Sequence, residues 1–111
     1  MIYAAMTADP VNGTKYSIEE LKRIVEPVAI KHGVEKIYLF GSVARGDHSE
    51  ESDYDFIIEQ GRIDCIFTLS AFYRDLHNAI GYDIDVITKK AAESKPEFLK
   101  SVMKEMVNLF G

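Results

Sequence analysis

Three short runs rich in branched and aromatic residues, at 36–40, 53–58 and 83–87, alternate with stretches of helical period. That alternation limits the chain to a sheet covered by helices. Ser17 and Glu20 open the first helix with capping-box spacing, in which a hydroxyl and a carboxylate each satisfy a free backbone N–H. Ile18, Leu21, Ile24, Val25, Val28 and Ala29 follow at helical spacing. Pro27 sits inside this pattern, and Gly33 suits the C-terminal cap. Residues 63–80 predict a second helix, with Ile66, Leu69, Tyr73, Leu76 and Ile80 on one stripe and Gly81 as the stop. Ser94 and Glu97 repeat the capping-box spacing around Pro96 and predict a last helix from about Lys95 to Leu109. Residues 1–16 carry two turn signals, Asp9-Pro10 and Asn12-Gly13, and read as an extension forming a loop or a short edge strand, with Met6 as an alternative start. The expected fold class is α/β (α+β), a single mixed sheet of three to five strands flanked by helices, in one domain over 1–111.

Composition removes several functions. With 13 Lys+Arg against 18 Asp+Glu, the net charge is −5, so there is no basic surplus for gripping nucleic acid by bulk charge. A small basic pocket for one nucleotide stays open. The lone Cys65 excludes an intramolecular disulfide and a multi-cysteine zinc site, and predicts a cytoplasmic chain in which it serves packing. No apolar run approaches the roughly 20 residues of a membrane span. His32, His48 and His77 are widely spaced and lack the HExxH pattern.

The chemistry concentrates between Gly41 and Asp55. Residues i and i+2 of a strand share a face, so Asp53 and Asp55 project together. Adjacent carboxylates repel, and a hard cation such as Mg²⁺ relieves them. Asp85, bracketed by Ile84 and Val86, is the better third carboxylate; Asp83 sits at the strand mouth. Three carboxylates on neighbouring strands can hold two Mg²⁺ ions for in-line phosphoryl displacement. Gly41, at the end of a strand, lets a phosphate approach the backbone, Ser42 adds a hydroxyl donor, and Arg45 lies about one helical turn on, within reach of phosphate or the carboxylates. Each feature alone has a bland reading: solvated strand-end carboxylates, a turn, a surface cation. Their combination is far more specific. A calcium-binding loop of the EF-hand type does not fit, because Ile57 and Ile58 stand where further oxygen ligands are required.

Phe40-Gly41-Ser42-Val43-Ala44-Arg45-Gly46-Asp47, followed by Ser52-Asp53-Tyr54-Asp55-Phe56, resembles the signature of the minimal nucleotidyltransferases within the DNA polymerase beta superfamily. The resemblance runs from about Ser17 to Phe110. It implies the nucleotidyltransferase fold, with Gly41 and Ser42 binding the nucleoside triphosphate and Asp53 and Asp55 ligating Mg²⁺. It also implies that Asp85 completes the metal site and helps deprotonate the acceptor hydroxyl. Arg45 matches a basic residue of less defined role. Many such proteins are antitoxins paired with a helical HEPN-domain toxin, and transfer AMP from ATP to a tyrosine of that partner. The expected function is this transfer; the alternative is a non-catalytic subunit that masks the toxin. Transfer to a small molecule is weaker, since so short a chain has little with which to build a second pocket. The apolar residues between Lys95 and Phe110, wide for a helix packed on one face, predict a docking surface for the helical partner or for a second copy of the chain.

Overall fold

The computed structural model describes residues 16–45 and 53–111. Expectations for residues 1–15 and for His48 lie outside them. The chain runs α1 (Ile18–His32), β1 (Lys36–Phe40), α2 (Gly41–Arg45), β2 (Tyr54–Glu59), α3 (Ile66–Ile80), β3 (Ile84–Thr88), α4 (Lys89–Glu93), α5 (Pro96–Met103) and β4 (Val107–Phe110). The sheet order is β3-β2-β1-β4. β1 is antiparallel to both β2 and β4, and β2 and β3 run parallel, so the sheet is mixed as expected.

The capping box of α1 is present: the Ser17 N–H donates to Glu20 Oε1 at 2.8 Å, and the Glu20 N–H donates to Ser17 Oγ at 3.1 Å. Gly33 closes the helix at φ +69°, a left-handed conformation that costs other residues energy. Leu21, Val25, Val28 and Ala29 of α1 are buried with Phe72, Leu76 and Ile80 of α3. Both helices lie on one face of the sheet, against Ile37, Leu39, Tyr54, Phe56, Ile58, Ile84 and Leu109. Strand alternation turns Tyr38, Phe40, Asp55, Ile57, Asp85 and Ile87 to the opposite face. There Phe98 of α5 packs edge-on against Phe40, with ring centroids 5.7 Å apart.

Three expectations are corrected. The last helix does not reach Leu109: α5 ends at Met103, and Val107–Phe110 form β4 beside β1. The wide helical stripe read across Lys95–Phe110 is therefore a short helix plus a strand, and it gives no basis for helical docking. The second capping box is also absent, because Lys95 is the N-cap of α5 and Ser94 instead closes the unforeseen α4. Helix α3 starts at Ile66 and is rotated from the expected stripe: Phe72 is buried, whereas Ile66 is 65% and Tyr73 41% exposed. Tyr73 faces outward because its hydroxyl donates to the Ile84 carbonyl at the sheet edge, at 3.1 Å. Cys65 is an exposed N-cap residue and not a packing residue.

One polar lock joins α1 to α3. Asp75 Oδ2 lies 2.9 Å from Lys31 Nζ and 2.7 Å from His32 Nε2. The hydrogen bonds with His32 and then Lys31 hold the Asp75 carboxyl down to about 2. A folded-state pKa below the unfolded one stabilises the protein above the ordinary aspartate value near 4, and that stabilisation is lost as pH falls towards 2. Denaturant stability is expected to drop across this window, and to drop less in Asp75→Asn. Parallel curves for the two proteins would remove the lock from the acid response.

Candidate active site

Gly41, Asp55 and Asp85 meet because strand pairing brings them together. Phe40 is registered opposite Asp55, and Asp55 opposite Asp85 in the parallel pair β2–β3. The strand β1 therefore delivers the turn at Gly41 directly onto the Asp55 carboxyl. Gly41 has φ +82°, and a Cβ placed there would run into Asp55 Oδ2. Glycine is thus required twice, for the backbone angle and for the close approach. Ser42 follows on α2, half-buried, while Val43 anchors the short helix in the core.

Asp53 immediately precedes β2 and is exposed, and Asp85 is exposed on β3. Asp55 is half-buried between them. Burial pushes its carboxyl up to about 6, helped by the negative charges of Asp85 and Asp53, while the Arg45 charge opposes the rise. All three carboxylates are thus within electrostatic reach of one another, as the sequence expects. Tyr54 alternates to the other face, is fully buried, and accepts the Tyr16 N–H on its hydroxyl at 2.9 Å. It takes no part in the site.

Arg45 ends α2, and its Nη1 donates to Glu105 Oε1 at 3.0 Å. Glu105 is a site neighbour that the sequence does not reveal. Two opposite charges 60 positions apart leave no local pattern.

Among the described residues no three His, Cys, Asp or Glu side chains converge as a finished metal cage. The donor set nevertheless suits a hard divalent cation. A half-buried carboxyl facing two like charges is destabilised as an anion, and a cation relieves it. Mg²⁺ in particular takes one or two carboxylates and completes its shell with water and substrate phosphates.

The comparisons with known proteins agree with this geometry. The family described as "Polymerase beta, Nucleotidyltransferase" matches residues 20–111. A Methanocaldococcus jannaschii protein named "Putative protein adenylyltransferase" is 36% identical over 72 residues, covering 65% of this chain and 77% of the relative. The "Protein adenylyltransferase MntA" of Thermococcus cleftensis is 26% identical, covering 82% of this chain and 94% of the relative. A solved toxin–antitoxin with AMP-PNP superimposes with a TM-score of 0.67 at 20% identity, covering 81% of this chain and 73% of that one. A complex described as a tri-AMPylated Shewanella oneidensis HEPN toxin with an MNT antitoxin gives 0.63 at 16% identity, covering 86% and 73%. At these identities the two structures establish the shared fold.

Proposed function

The chain belongs to the polymerase beta nucleotidyltransferase family, and from that premise we propose that it transfers AMP from ATP to a tyrosine hydroxyl of a HEPN-domain partner, acting as its antitoxin. The observation that carries this reading is the registration of Asp55 beside Asp85, directly under the glycine turn at Gly41. The names of the relatives and the description of the Shewanella complex support a protein acceptor.

Asp53, Asp55 and Asp85 are the residues that would hold Mg²⁺, two ions by the family pattern. When bound, the metal neutralises charge on the phosphates and lowers the pKa of the attacking hydroxyl. Gly41 admits the triphosphate close to the main chain, Ser42 donates its hydroxyl to a phosphate oxygen, and Arg45 adds positive charge at the same mouth. The acceptor oxygen attacks the α-phosphorus as the bond to the β-phosphate bridging oxygen breaks. Pyrophosphate leaves with that electron pair, and the hydroxyl proton passes to a site carboxylate, for which exposed Asp85 is best placed. A free tyrosine has a pKa near 10, so such help is needed at neutral pH.

The test is co-expression with the HEPN-domain product of an adjacent gene and incubation with α-labelled ATP and Mg²⁺. Label and an AMP-sized mass increment on the partner are expected. An unlabelled partner that is nonetheless silenced would replace transfer by masking. Ser42→Ala is expected to raise the nucleotide KM about tenfold or more, with a smaller fall in kcat, since a hydrogen bond to a charged group contributes about 1.5–3 kcal/mol. An unchanged nucleotide affinity would reduce Ser42 to a turn residue.

A further inference from the structure

We propose that Glu105 is a positioning residue for nucleotide binding: it holds the Arg45 guanidinium at the mouth of the carboxylate site, so that the remaining N–H donors meet the triphosphate. This rests on the reading that the Gly41–Arg45 segment receives the phosphates.

The anchor is built from outside the site. Glu105 lies in the turn between α5 and β4, and its own N–H donates to the Val102 carbonyl at 2.9 Å. The Met106 N–H donates to the same carbonyl, also at 2.9 Å, and Val102 is only 4% exposed. The Glu105 backbone is therefore tied to a core residue, whereas Arg45 ends a five-residue helix. The contact uses one terminal nitrogen, Nη1, at 3.0 Å from Glu105 Oε1. A guanidinium has five N–H donors in a planar fork, so fixing one edge fixes the direction of the others. The Arg45 charge is felt at Asp55, which places the fork in reach of the carboxylate mouth. Without an anchor, a long, 45%-exposed side chain must be ordered at each binding event, and that ordering costs affinity.

A purely structural role predicts something different. An exposed ion pair contributes little to folding, so its loss should leave stability and ligand binding nearly unchanged. A competitive role differs again. If Glu105 merely offsets the charge of Arg45, its removal should tighten anion binding.

The experiment titrates the full chain, with Mg²⁺, against a non-hydrolysable ATP analogue and separately against adenosine, which has no phosphates. Glu105→Ala is expected to weaken the ATP analogue about five- to tenfold and to leave adenosine binding and the melting temperature unchanged. Glu105→Gln keeps an oxygen acceptor of the same reach and is expected to stay within about twofold of wild type. Arg45→Ala should weaken the analogue at least as much as Glu105→Ala, and the double variant should bind no worse than Arg45→Ala. If alanine at 105 does not fold, Glu105→Asp replaces it: the charge stays, but one methylene is lost, and a similar weakening is expected.

Tighter or unchanged analogue binding in Glu105→Ala overturns the proposal, as do additive losses in the double variant. Equal losses for the analogue and adenosine would make Glu105 a general structural residue and also overturn it. An Arg45→Ala variant with wild-type affinity removes Arg45 from the phosphate site, and the positioning role falls with it. If Arg45→Ala weakens binding while Glu105→Ala does not, the phosphate reading stands and only the positioning role is lost.

Discussion

Asp55→Asn is expected to abolish transfer, with a loss of at least about 10²-fold, while the protein stays folded. The side chain keeps its shape and only the charge changes. If Asp55 ligates Mg²⁺, an amide is a poor replacement, and each 1.36 kcal/mol of lost transition-state stabilisation slows the reaction about tenfold. Stability should move the other way or not at all. The Asp55 carboxyl is half-buried beside Asp53 and Asp85, which push its pKa up to about 6. Removing that charge removes a repulsion. Asp53→Asn should lose transfer similarly, with less effect on stability because Asp53 is exposed. The measurements are label transfer from α-labelled ATP, circular dichroism and thermal melting for both variants. Near wild-type transfer by either one would sink the metal assignment of that residue.

Gly41→Ala is the second large effect, and it needs no assumption about metal. The backbone at Gly41 has φ +82°, where a side chain costs about 1–2 kcal/mol. The added methyl would also meet Asp55 Oδ2. Relief requires either the strand end or the Asp55 carboxyl to move, and both belong to the candidate site. A lower melting temperature together with loss of nucleotide binding is expected. A variant that melts like wild type and still binds the ATP analogue would show that the close approach is dispensable.

Legibility in the sequence followed local signals. Helix α1 could be read because Ser17, Glu20 and Gly33 mark both ends and its apolar residues keep a helical period. The pair Asp53 and Asp55 could be read because strand parity alone puts the two residues on one face. Asp85 was selected over Asp83 by its apolar neighbours, and the pairing does put it opposite Asp55. The C-terminal error had a physical cause. Val107, Leu109 and Phe110 are too few to distinguish a strand from the end of a helix, and only the free edge of β1 decides it. The rotation of α3 was hidden for a similar reason. Phe72 and Tyr73 are adjacent aromatics, and the Tyr73 hydroxyl finds its acceptor on β3, a partner no helical wheel contains. Glu105 is the extreme case, since its role depends wholly on a contact across the fold.

The parallel pairing of β2 with β3 ties the chemistry to the core by parity. Ile84 is buried under the helices while its neighbour Asp85 faces the open side. Sliding β3 by one residue would set Ile84 or Val86 beside Asp55 and turn Asp85 into the apolar layer. Such a slip exposes an isoleucine and buries a carboxylate at once, so the out-of-register state is heavily disfavoured. The distance between the two acids is therefore held by greasy residues that never touch a nucleotide. Mutations at Ile84 should then register first as altered catalysis, before any loss of global stability is large enough to unfold the domain.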